Sequence, residues 1–291
     1  MKAPIGSVLL ELYLCFMKYT RRFVMGVFVA LILAILQTGT ASADQVPVHY
    51  PEGTSHGHFI VRSLNGKEIG KGDLTETLDG HRVSAKLTLS FNNGSLYDET
   101  THFTQDGVFR LLDYRLLQKG PSFKGTLEMT IDAVNGMVTV RCDGGQEDSC
   151  KGRVWTKHLQ IPPDLANGIV PFLVRNISAK ADKVQVSMIV ATPKPRLVHV
   201  SISPTALQTF PFRGSKLEAT RYALTVDPGG MLGPLVKIAG RQPPPSFVWM
   251  LHDKVPSFLM AQQAFIDGPV CRIELASPTA SPDESAQDST S

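Results

Sequence analysis

From residue 58 onward, apolar and polar residues alternate in short runs separated by tight-turn pairs. Val83, Ala85, Leu87, Leu89 and Phe91 alternate without a break, which sets one face of a strand against a core and the other in water. Leu127, Met129 and Ile131 repeat the pattern, and Val138 and Val140 return it after Asn135-Gly136. His58–Leu64 and Lys67–Leu78 flank Asn65-Gly66, a hairpin signature because Asn-Gly accepts the positive φ of a type I′ turn. Asp79-Gly80, Asn92-Asn93-Gly94 and Asp106-Gly107 punctuate the following runs, and Val108–Leu117 supplies another strand. Strands resume around Val186, Val200, Leu224, Trp249 and Ile273. Short runs joined by tight turns describe a meander. The expected fold is mainly β: one antiparallel barrel or half-barrel of roughly ten strands with a single internal helix.

That helix is expected over residues 164–177. Pro162-Pro163 stops the preceding strand, Asp164 offers an N-cap, and Leu165, Ile169, Phe172, Leu173 and Ile177 recur at helical spacing. Asn167-Gly168 and Pro171 weaken it, so apolar contacts along one side must hold it in place. Lying across the concave side of the sheet would supply them and leave room for an acyl chain beside Phe172. Arg175 in the last turn would either meet an anionic head group or complement the helix dipole.

The amino-terminal region sets the compartment. Lys18, Arg21 and Arg22 precede an uncharged run, Phe23–Leu36, and Ala41-Ser42-Ala43 follows it, the order of a secretory signal peptide cleaved after Ala43. The run is shorter than the roughly 20 residues that a membrane-spanning helix needs. Counted from Met17, the leader fits the usual 15–30 residues better than counted from Met1. The expected domains are a leader over 1–43, one β-rich domain over 44–275, and an acidic Ser/Thr/Pro tail over 276–291 that lacks the large apolar residues needed to offset the entropy of ordering. The formal charge of +3 resides wholly in the leader, where Lys2, Lys18, Arg21 and Arg22 face Glu11 alone. A neutral mature chain carries no footprint for nucleic acid. The protein is expected in the periplasm or outside the cell.

An oxidising compartment bears on the cysteines. Cys142 and Cys150 bracket a polar, turn-rich loop and are expected to pair. Cys271, in an apolar strand, is expected to be a buried thiol.

Candidate chemistry is sparse. His56-Gly57-His58 could give a metal two imidazoles, but no further ligand stands at metal spacing, so both read as surface histidines. No G-x-S-x-G elbow or phosphate-loop glycine pattern occurs, and Gly229-Gly230 reads as a turn. Asp113 and Arg115 should share the solvated face of a strand whose Leu112, Tyr114 and Leu116 point inward. Trp155 and Trp249 sit in amphipathic strands, suited to core or rim packing or to the wall of a ligand cavity. No catalytic residue, metal or cofactor is expected.

The stretches LQIPPDLANGIVPFLVRNI (159–177) and GPVCRIELASP (268–278) resemble a group of uncharacterised exported bacterial β-rich proteins, through a PPDLxNG-like helix lead-in and a closing GPxxRIEL-type strand. In layout alone, a curved antiparallel sheet with an internal helix is similar to periplasmic half-barrels that carry lipids or lipoproteins. That resemblance implies binding or carriage of a lipid or other apolar ligand, with Phe172, Arg175, Trp155 and Trp249 as candidate contacts. Two further functions stay open: an envelope assembly protein that binds another protein, and a hydrolase whose residues converge only in the fold.

Overall fold

The computed structural model describes residues 45–144, 152–191, 194–212, 215–227 and 246–276. The leader, Cys150, the Gly229–Gly240 run and the tail from 277 lie outside the described residues. Among the described residues, fourteen strands form one antiparallel sheet. They are β1 (Ser55–Ser63), β2 (Glu68–Asp79), β3 (Arg82–Phe91), β4 (Leu96–Asp106), β5 (Val108–Lys119), β6 (Gly125–Asp132) and β7 (Met137–Gly144). β8 (Arg153–His158), β9 (Val184–Val190), β10 (Arg196–Phe212), β11 (Ser215–Asp227), β12 (Ser246–Leu251), β13 (Phe258–Ala264) and β14 (Val270–Leu275) complete it. There are more strands than the ten or so expected, partly because β8 and β13 carry no clean alternation of buried and exposed residues.

The strand order is β8 through β1, then β14 down to β9. Two meanders therefore run outward from a central pairing of the first and last strands, with Val61 opposite Ile273. The sheet is open, not a closed barrel. From the β8 edge, the Lys157 ammonium donates to the carbonyl of Pro195 in the β9–β10 turn at 3.3 Å.

The hairpins fold where the turn residues direct, but by a different turn. Gly66 has φ +88°, whereas Asn65 stays out of the left-handed region, so the β1–β2 loop is not type I′. Ser63 N–H donates to the Lys67 carbonyl and Gly66 N–H to the Ser63 carbonyl, each at 2.9 Å, the pattern of a type I turn followed by a left-handed glycine. A bulge between Val61 and Arg62 then shifts the register by one residue. A second bulge sets His102 opposite Asp113 and Phe103 opposite Leu111. Leu112 is the extra residue, and Leu111 takes the inward position expected of it. At Gly72, on the inner face of β2, an added Cβ would run into the Leu89 side chain, so a glycine is what lets the sheet coil this tightly.

The helix is shorter than its periodicity suggests. α1 spans Val170–Arg175, with Ile169 rather than Asp164 at its N-cap. Gly168 at φ +73° breaks any earlier turn, and Pro171 is tolerated only because it falls in the first turn. The lead-in covers the edge of β9 instead. Ser187 N–H donates to the Asp164 carbonyl at 3.3 Å, and Ala166 N–H to the Ser187 carbonyl at 2.8 Å. The Asn167 amide then copies a strand: its oxygen accepts from Ile189 N–H at 2.8 Å and its nitrogen donates to the Ile189 carbonyl at 2.9 Å. Leaving two buried backbone groups unpaired costs roughly 1–3 kcal/mol each. Asn167→Ala is therefore expected to lower stability by about 2–4 kcal/mol in urea unfolding, with Asn167→Asp, which keeps the acceptor, in between.

Both ends of the concave side are filled. At one, the Phe172 ring packs on Phe103 (centroids 5.0 Å, 34° between planes), and the Asn176 side-chain oxygen accepts from His49 and Tyr50 N–H, both at 2.7 Å. At the other, Phe265 from the β13–β14 turn meets Phe91, Tyr97 and Phe123, and the Gln118 amide donates to the Ile266 carbonyl.

Candidate functional site

Side chains at alternate positions of a strand share a face, so the registers of β2 to β5 lay the inner face out row by row. Leu74, Leu87, Glu99 and Leu116 are mutual cross-strand neighbours and make one row. Gly72, Leu89, Tyr97 and Gln118 make the row below it. Glu76, Ala85, Thr101 and Tyr114 make the row above it. Both flanking rows are buried throughout, yet water reaches Leu74, Leu87 and Glu99 in the middle one. The part of the middle row that water reaches is two leucines and a single carboxyl.

Glu99 is enclosed by protein at longer range while keeping some contact with solvent, as expected of a group on the wall of an internal space. Tyr97 Oη donates to Glu99 Oε2 at 2.6 Å, and the Tyr114 hydroxyl bonds into the same cluster. Burial raises the Glu99 pKa above the ordinary carboxyl value, and the two phenol hydrogen bonds offset only part of that. Burial, with the Glu99 charge added, pushes both tyrosines well above theirs. Gly168 forms the roof. A Cβ there would collide with Thr101 and come within 2.9 Å of Glu99 Oε1, so only glycine lets the lead-in sit this low.

Glu76 and Glu52 make a second acidic pair. Glu76 accepts from Ser55 Oγ at 2.7 Å, and burial raises its pKa. Glu52 is joined to Arg175 at 2.5 Å, and the Gln105 side chain holds the Glu52 backbone through bonds of 2.7 and 2.8 Å. Despite that cation, burial and the nearby Glu76 charge push the Glu52 carboxyl up to about 7. Desolvation outweighs the guanidinium here, because one Glu52 oxygen and the Arg175 Nε have no partner. Glu52 and Glu76 thus share one guanidinium.

The four expected contacts do not converge on this space. Phe172 is buried in its stack on Phe103, and Arg175 is paired to Glu52. Trp155 is half-buried on the edge strand β8. Trp249 is buried on β12, its Nε1 donating to Gln208 Oε1 at 2.5 Å. Cys142 is buried near the end of β7, while its expected partner Cys150 is among the residues not described. Cys271 is the buried free thiol expected, its pKa pushed up to about 11 by burial. Asp113 and Arg115 lie on the outer face, bonded to His102 at 2.6 Å and to Glu128 at 3.1 Å. An open groove of about 310 Å³ lies past the end of α1, between Ala179, the Pro204–Ala206 bulge and His252. Ser187 Oγ lies 3.5 Å from His199 Nδ1, but that serine is fully buried, out of reach of a substrate.

The row of Leu74, Leu87 and Glu99 was missed in the sequence because Glu99 sits in the polar run Asp98-Glu99-Thr100-Thr101, which shows no apolar alternation. The signal was the alternation of Tyr97, Thr101 and Phe103 around it.

No protein family profile matches the chain, and neither does any curated protein. Among solved structures, it is similar to a beta-barrel-like protein of a domain of unknown function, DUF1849, from Brucella abortus. The identity is 10%, over 78% of this chain and 98% of that one, with a TM-score of 0.40. At that score the likeness says nothing about ligand or activity.

Proposed function

We propose that this protein is exported to the cell envelope, where it binds an amphipathic, lipid-like ligand in the inner-face concavity and performs no catalysis. The observation that carries the reading is the water-reached row of Leu74, Leu87 and Glu99 between buried rows. Apolar walls with few convergent polar groups are the usual make-up of a small-molecule site. Glu99 and Glu76 disfavour an anionic head group, and the Arg175 guanidinium that could have met one is held by Glu52. A neutral or cationic head, hydroxyl or amine, suits a carboxyl between two phenols.

Native mass spectrometry of the chain purified from its own envelope tests this. The expected result is a protein beginning at Asp44, two hydrogens lighter for a Cys142–Cys150 bridge, and carrying about one small-molecule adduct that dissociates on denaturation. A bare chain would displace the carrier reading in favour of an assembly protein. That second reading is favoured by the edge strand β8, where Val154 is exposed and no strand among the described residues covers the outer side.

A further inference from the structure

On the outer face of β1 and β2, His56, His58 and Asp73 come together. His56 and His58 are two residues apart on β1 and so project from one side of it. The β1–β2 register puts Asp73 directly across from His58. Asp73 Oδ1 lies 2.6 Å from His58 Nδ1 and 3.6 Å from His56 Nε2, and all three donor atoms fall within 4.8 Å of one another. The imidazoles are tilted by 57° with centroids 4.5 Å apart, so their nitrogens can converge on one point.

We propose that these three side chains form a binding site for a first-row transition-metal dication of the zinc type. Ligands held about 2.0–2.2 Å from a tetrahedral ion stand roughly 3.4 Å apart, which falls between the two distances seen here. Closing on an ion requires only side-chain rotation, because the backbone on both sides belongs to one unbroken ladder from Ser55 to Val61. Two imidazoles and a carboxylate favour zinc, copper(II) or nickel over calcium or magnesium, which take oxygen ligands. All three side chains are more than half exposed, so the remaining coordination positions face solvent. Such a three-ligand, open arrangement can hold a water or a ligand atom from a second molecule. Lys71 on the same face of β2 keeps local charge from favouring the ion further. The proposal does not depend on the inner-face reading.

The test is isothermal titration of the untagged mature protein with zinc chloride, backed by cobalt(II) absorption spectra. One zinc per chain is expected. His56→Ala, His58→Ala and Asp73→Asn should each weaken binding by more than about tenfold, since loss of a supporting group alone costs 10–100-fold. His102→Ala is the control, because the His102–Asp113 pair has the same 2.6 Å contact without a second imidazole. It should bind zinc like the parent. Unchanged circular dichroism would show that the exposed substitutions leave the fold intact. Absence of saturable binding, equal binding by the three variants, or loss in the His102 variant would each overturn the site.

Discussion

Arg175→Leu is expected to destabilise the fold by about 3 kcal/mol above about pH 8, where Glu52 is ionised. Removing one partner of a buried ion pair costs roughly 3–5 kcal/mol, and the lower end applies because 23% of the Arg175 side chain reaches water. The physical reason lies in what remains. Glu52 and Glu76 would stand buried together with no cation, and the segment that Glu52 anchors would lose its tie to the helix end. Adding Glu52→Gln should recover much of the loss, since the stranded charge causes most of it. Urea unfolding of the single and double variants reads both effects. A double variant as unstable as the single would mean that Arg175 acts by packing its stem and not by its charge.

The second large effect is on the pH profile. The Glu52 carboxyl is raised from an ordinary value near 4.5 to about 7, so the folded protein holds that proton more tightly than the unfolded chain does. Its stabilising effect is then complete below about 4.5 and lost as the pH rises through 7. The size is about 3 kcal/mol at 1.36 kcal/mol for each pKa unit. Glu76 and Glu99 are raised for the same reason and act in the same direction. The protein should therefore grow more stable as the pH falls from about 7 toward 4.5, the reverse of a protein governed by paired surface carboxylates. Glu52→Gln should flatten most of that slope in denaturant midpoints across the range. A parent profile that is flat or rises with pH would show that Arg175 keeps Glu52 ionised.

Much of the architecture could be read from the chain, since each tight-turn pair and each unbroken alternation marks a strand of the meander. The helix was legible only as a weakened apolar stretch. Its real extent depends on Gly168 adopting a left-handed conformation and on Asn167 pairing with β9, neither of which periodicity reveals. The His56–Asp73 proximity was closer to hand. In a hairpin centred on Asn65-Gly66, residue 58 falls opposite residue 73, and the bulge at Val61 restores that register after the longer turn. The inner-face site was harder. It needs four strands in register and a lead-in segment whose Gly168 roofs Glu99. Phe172 illustrates the limit: helical spacing marks it as an inward residue, but only the fold places Phe103 against it.

The proposed function requires that the row of Leu74, Leu87 and Glu99 border a space that takes an apolar ligand. Fluorescence titration with N-phenyl-1-naphthylamine, an uncharged apolar amine, tests it most directly when the parent is compared with Leu87→Trp, which would fill the space. Leu74→Phe serves the same purpose if the tryptophan variant does not fold. The expected result is saturable enhancement at about one probe per chain in the parent, reduced at least tenfold in the filled variant at unchanged circular dichroism. Equal binding by parent and filled variant, or no saturable binding by the parent, would contradict it.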